Sequence, residues 1–130
     1  MIVPDASVIL ELLLRTPVAS GIESRLFGGA DTLHAPALLD IEVAQVLRRY
    51  ESRGEISAQR GRLAIELLAT FPIERYPHRD LLPRIWDLRR NLTAYDAAYI
   101  ALAEALDATF LTRDARISKA PGTGVRMEVV

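Results

Sequence analysis

The chain has 130 residues, half of them apolar, no cysteine and a formal net charge of −1. That length and apolar share suit a single domain over residues 1–130 with a substantial core, and are short for two. No disulfide framework or thiolate metal site can form without cysteine, and a near-neutral charge gives no global pull towards nucleic acid.

The start, Met1-Ile-Val-Pro-Asp5, lacks the positive segment of a signal peptide. No apolar run approaches a membrane span, so a soluble, cytoplasmic protein is expected. Ile2-Val3-Pro4 reads as a short strand; Asp5-Ala6-Ser7 follows it and leads into a helical pattern at Val8, Leu12 and Leu13. Pro17 is expected to open a second helix running to about Phe27, where Gly28-Gly29 stops it, and Thr32 to Ala35 is the next strand. A long helix is expected from Pro36 to Arg53, with Leu39, Val43, Val46, Leu47 and Tyr50 on its apolar stripe, Glu42 at the border of that stripe and Gly54 as the stop.

Ser57 is placed to cap a fourth helix through Ala69, and Phe71 to Tyr76 supplies a third strand ended by Pro77. Asp80 to Asn91 reads as helical, with Leu81, Leu82, Ile85, Trp86 and Leu88 apolar and Pro83 confined to the first turn. From Thr93 to Asp114 a small-residue helix, with Ala97, Ala98, Ala101 and Ala105, feeds a buried strand at Thr109-Phe110-Leu111-Thr112, with Asp107 breaking the pattern between them. A short helical turn and a fifth strand at Val125 to Val129 follow. There is no repeat, linker or low-complexity segment.

Strands alternating with helices predict an α/β domain with a mainly parallel sheet covered on both faces. In such sheets the working crevice lies beyond the carboxyl ends of the strands. Helices that follow a strand, and helices that lead back into one, begin at that edge. Asp5, Glu42, Asp96 and Asp114 are therefore all placed there. Each alone has a structural explanation: Asp5 and Asp114 as N-caps, Asp96 in a cap with Thr93, Glu42 as a snorkelling edge residue. Together they are harder to explain, because carboxylates about 6 Å apart repel by about 3 kcal/mol at an effective dielectric near 20 whereas a cap supplies only about 1 kcal/mol. A hard divalent cation is the usual compensation, and oxygen-only ligands favour Mg²⁺ or Mn²⁺. Such an ion, with a water it activates, suits phosphodiester hydrolysis. Ser7 and Thr112 stand beside the acids, either as donors that orient a carboxylate or as capping and strand residues. His34 and His78 are isolated and read as core-edge and loop residues. Fifteen of the sixteen basic residues are arginines, including the pairs Arg48-Arg49 and Arg89-Arg90; solvated helix faces explain them better than a dedicated phosphate site.

VPDASVILELLL, LLDIEVAQVL, TAYDAAYIALAEAL and TFLTRD, in this order across nearly the whole chain, resemble the PIN-domain ribonucleases, and among them the VapC-type toxins of toxin–antitoxin pairs. The resemblance implies a five-stranded parallel sheet of order 3-2-1-4-5. It places the acidic quartet that holds metal and carries catalysis on Asp5, Glu42, Asp96 and Asp114, with Thr112 as the usual hydroxyl neighbour. It also implies cleavage of RNA dependent on Mg²⁺ or Mn²⁺, a cognate VapB-type antitoxin whose C-terminal peptide blocks the groove, and a homodimer. The chain departs from the pattern at Ala6, where Thr is also common. Arg113 and Arg116 flank the site, and nothing in the match assigns them a role. Two alternatives belong to other classes. A phospho-acceptor signalling domain needs an acceptor aspartate at the end of the third strand, where this chain has Tyr76-Pro77; a non-catalytic PIN-like binding module would be favoured by the loss of an acid, and none is lost.

Overall fold

The computed structural model describes residues 1–130. Five strands form one sheet in the order β3-β2-β1-β4-β5: β1 (Ile2–Pro4), β2 (Leu33–Pro36), β3 (Ile73–Tyr76), β4 (Thr109–Thr112) and β5 (Met127–Val129). All four pairings are parallel, and the central register sets Ile2, Val3 and Pro4 against Thr109, Phe110 and Leu111. The order reverses at β1–β4, so the crevice expected of such a sheet opens between the ends of those two strands.

The helices are α1 (Ala6–Leu13), α2 (Ala19–Phe27), α3 (Leu38–Ser52), α4 (Ala58–Thr70), α5 (Leu82–Asp87) and α6 (Ala94–Leu106). They pack in two groups, α1 with α2, α3 and α4, and α5 with α6; α1 and α6 both lie on β1 and β4. Two layers that cover the same strands without packing on each other occupy opposite faces, which is the doubly covered α/β arrangement. Helix α6 is buried on every side from Ala97 to Ala103. Its alanines allow that close seat, since a helix without large side chains approaches a sheet closely. Asp107 ends it in a left-handed conformation, φ 49°, which Asp tolerates better than most residues.

Several boundaries differ from those expected. Pro17 sits in a turn closed by the Ala19 N–H to the Thr16 carbonyl at 3.0 Å, and α2 begins only at Ala19. Pro36 belongs to β2 instead of opening α3, because the next amide, Ala37 N–H, is taken by the Tyr76 carbonyl of β3 at 2.8 Å. The segment Asp80–Asn91 is not one helix. A 3₁₀ turn at Arg79–Leu81 precedes the six-residue α5, with Pro83 in its first turn, and beyond Asp87 the chain tightens through Arg89 N–H to Trp86 O and Asn91 N–H to Leu88 O. On so short a helix only Ile85 and Leu88, three apart, face the core. Leu82 is half exposed and Trp86, expected on the apolar side, is 67% exposed, its ring covered by the Arg89 guanidinium at 4.6 Å.

Candidate metal centre

At the carboxyl edge a cleft of about 520 Å³ is lined by Asp5, Glu42, Asp96 and Asp114 together with Ser7 and Tyr99. The fold positions each acid through a local device. Asp5 follows β1 in extended conformation and caps α1, its Oδ1 accepting the Val8 N–H at 3.1 Å. Glu42 projects from the second turn of α3. Asp96 lies in the first turn of α6, where its own N–H is capped by Thr93 Oγ1 at 3.2 Å. Asp114 comes two residues after β4.

Asp5 is the most constrained of the four. Ser7 Oγ donates to its Oδ1 and Thr112 Oγ1 to its Oδ2, each at 2.5 Å. Both hydroxyls in turn accept backbone amides from the end of β4: Arg113 N–H reaches Ser7 Oγ and Asp114 N–H reaches Thr112 Oγ1, each at 3.0 Å. A hydroxyl has one proton to give, so accepting the amide orients it to donate to the carboxylate. Ser7 and Thr112 therefore act as fixed donors to Asp5 in addition to their places in the first turn of α1 and in β4.

Burial is the leading cause that raises the Asp5 carboxyl above its ordinary range, even against three hydrogen bonds, and the charge of Asp96 adds to it. Burial also leads for Glu42 and for Asp96, followed by repulsion from Asp96 and Asp5 on the first and from Asp114 on the second. Mutual repulsion is thus present but secondary to desolvation. Asp114 goes the other way. Arg116 clasps it and holds its carboxyl below the usual range. Tyr99, 1% exposed, stands beside Glu42 and offsets part of the burial there, yet neither Glu42 Oε1 nor Tyr99 Oη has a hydrogen-bond partner of acceptable geometry.

No three of the acids close around one point tightly enough to cage an ion. The donor set still fits a hard cation. It offers carboxylate oxygens only, one of them buried and without a partner, and Mg²⁺ keeps several waters and takes few protein ligands, so an open-sided acidic cleft suits it better than a cage. His34 contributes nothing here: it is buried at the β2–β3 end, bonded to Thr32 Oγ1 and Tyr76 Oη at 2.7 Å each, and His78 is exposed in the turn before residue 79. Tyr99 is the lining residue that sequence reasoning passed over; lying three positions after Asp96, it shares that face of the helix, which was the available signal.

The PIN domain family model matches residues 2–122. The chain belongs to the PIN-domain family. Within it the likeness is to VapC proteins: Ribonuclease VapC9 of Mycobacterium tuberculosis is 43% identical over 118 residues, covering 91% of this chain and 89% of that protein. Ribonuclease VapC12 of the same organism is 37% identical over 130 residues, covering 100% and 99%. The crystal structure of VapBC2 from Rickettsia felis bound to a DNA fragment from their promoter superposes with a TM-score of 0.74 at 12% identity, over 99% of this chain and 98% of that one. At that identity the superposition speaks to the fold, and it matches the 3-2-1-4-5 sheet. Asp5, Glu42, Asp96 and Asp114, the positions the family resemblance implies for an acidic quartet, all line this one cleft.

Proposed function

We propose that this PIN-domain chain is a metal-dependent endoribonuclease acting as the toxin of a type II toxin–antitoxin system, in the manner of the VapC ribonucleases it resembles. One observation carries the reading. Acids from four separate segments line a single cleft, and one of their buried oxygens, Glu42 Oε1, has no partner within the protein. Such an atom costs stability unless something else satisfies it.

Asp5, Glu42, Asp96 and Asp114 are the donor set from which Mg²⁺, or Mn²⁺ in its place, would take its few protein ligands. When bound, the cation supplies Lewis-acid activation of water and neutralises charge developing on a phosphoryl oxygen. Ser7 and Thr112 keep Asp5 oriented through their fixed donations. Asp96 and Glu42, both raised by burial, hold a proton more readily than an exposed carboxylate does. The sheet edge leaves the cleft open along one side, so a polymer can lie across it.

A VapB-type antitoxin is the expected partner, supported by the VapC relatives and by the VapBC2 likeness in fold. Its inhibitory segment would place a cationic side chain on the acids. A homodimer and a cytoplasmic location belong to the same reading; no helix here is long and apolar enough to cross a membrane. A phospho-acceptor domain lacks support, because β3 is an edge strand ending in Tyr76 and its hydroxyl is bonded to His34.

The test is cleavage of RNA by the purified chain. It should proceed with Mg²⁺ or Mn²⁺ and stop in EDTA, and Asp96→Asn should abolish it while circular dichroism stays unchanged. Undiminished cleavage in excess EDTA would remove the metal-dependent reading.

A further inference from the structure

Among the four acids of the cleft, Asp114 alone has an ion pair, made with Arg116 outside the lining. The Arg116 backbone N–H and Nε donate to Asp114 Oδ1 at 2.9 and 3.0 Å, and Nη2 donates to Oδ2 at 2.8 Å. Both oxygens of the carboxylate are thereby occupied by one residue. The Arg116 side chain is nevertheless 91% exposed, and Asp114 is its only acceptor. Arg113 is different. Its Nε donates to Glu11 Oε1 at 3.2 Å and a second nitrogen donates to the Val130 carbonyl, which ties it to the wall of the cleft.

A clasp between an exposed guanidinium and a carboxylate is cheap to open. Oδ1 of Asp114 already accepts two bonds and Oδ2 one, so a hard cation at Oδ1 must displace the guanidinium Nε or the amide, and at either oxygen its charge repels the guanidinium. The released fork of N–H groups then stands at the rim of an acidic cleft, with a geometry that matches a phosphate bidentately.

We propose that Arg116 is a phosphate-binding residue that the metal-free protein stores on Asp114: cation binding frees its guanidinium, which then takes an oxygen of the RNA backbone at the cleft. This rests on the metal-dependent nuclease reading. It gives Arg116 two effects of opposite sign, one opposing the cation and one favouring RNA. A residue that merely buttresses the loop has neither.

The experiment uses the full chain and two probes. Mn²⁺ is titrated in, with free ion followed by its electron paramagnetic resonance. Arg116→Ala should bind it about two- to fivefold tighter than the parent. Arg49→Ala, which removes a charge from the same cleft without releasing an acid, should tighten it clearly less. A fluorescein-labelled single-stranded RNA is then bound at several KCl concentrations, in EDTA and in Ca²⁺, its integrity checked on a gel. In Ca²⁺ the slope of log K against log salt should fall by about 0.7 in Arg116→Ala, the loss of one phosphate contact, and in EDTA it should not change. The proposal is overturned if Arg116→Ala binds Mn²⁺ no tighter, if Arg49→Ala tightens it equally, or if the salt slope falls alike in EDTA and Ca²⁺. Failure of the folded parent to bind Mn²⁺ at all overturns the metal site itself, and this proposal with it.

Discussion

Thr112 Oγ1 donates to Asp5 Oδ2 at 2.5 Å between residues 107 positions apart. The contact joins the ends of the two central strands at the point where the sheet order reverses, and it is buried. Thr112→Val keeps the shape of the side chain and removes both the donor to Asp5 and the acceptor for the Asp114 N–H. Leaving buried groups unsatisfied costs about 1–3 kcal/mol, which in a chain of this size lowers the melting temperature by roughly 3–12 °C. Thr112→Ser should recover most of it. Differential scanning calorimetry in EDTA decides, and a Thr112→Val protein that melts with the parent would mean the hydroxyl is idle.

Asp96→Asn should raise the melting temperature of the metal-free protein at pH 7. Asp5, Glu42 and Asp96 are all raised in the fold, so between their unfolded and folded values the folded chain binds more protons and stability increases as pH falls. Asp114, Glu104 and Glu128 are lowered, and what they contribute is lost only on further acidification through their folded values. A stability maximum on the acid side of neutrality follows, followed by a decline. Asp96→Asn removes one source of the rise, so it should melt roughly 2–5 °C above the parent at pH 7 and gain less on acidification. Added Mg²⁺ should then stabilise the parent more than the variant. Melting curves from pH 4 to 8 with and without Mg²⁺ test it; an Asp96→Asn protein that melts below the parent in EDTA contradicts the account.

Tyr99→Phe bears on the orphan pair in the cleft. Because Tyr99 Oη has no well-formed partner and only partly offsets the burial of Glu42, deleting the hydroxyl should leave the metal-free melting temperature nearly unchanged. The hydroxyl becomes useful only when something occupies the cleft, so the stabilisation by Mn²⁺ should shrink. A variant less stable in EDTA by several degrees would show that the phenol is already satisfied in the empty fold.

Glu104 governs the other side of the domain. Its carboxylate accepts Arg84 Nε at 2.7 Å, Arg84 Nη2 at 3.1 Å and the Gly124 N–H at 2.9 Å, tying α5 and α6 to the loop before β5. Glu104→Gln keeps the size and loses the charge-assisted bonds, at about 1–2 kcal/mol. Hydrogen exchange should quicken in residues 121–126 while the acidic cleft is unaffected, and unchanged exchange there would remove Glu104 from this role.

The fold was legible in the sequence wherever local chemistry and burial agreed. Thr93 and Ser57 cap where their spacing indicates, Asp107 and Gly54 stop helices, and Thr109–Thr112 is a strand because it is apolar and short. The four acids were legible as residues of one edge, since topology alone places them there. Proline misled in both directions: Pro17 and Pro36 look like helix openers, but a turn bond to Thr16 and a strand bond from Ala37 to Tyr76 had first claim on the neighbouring amides. Trp86 looked like core because its type is usually buried, yet α5 is too short to turn it inward. The Arg116 clasp that lowers Asp114, the lead that burial takes over repulsion in raising the other three acids, and the orphan Tyr99 were beyond reach, since each depends on which side chains meet in space and how much water is left around them.

The bond between Thr112 and Asp5 also dates the molecule's competence. A ribosome making this chain delivers Asp5 more than a hundred residues before Thr112, and until Thr112, Arg113 and Asp114 have been added and β4 has settled beside β1 only the local bonds of the α1 cap can hold it. A nascent copy, or one terminated before residue 112, would therefore hold its acids without their alignment, and a cell translating the message would meet no complete cleft before β4 had been made.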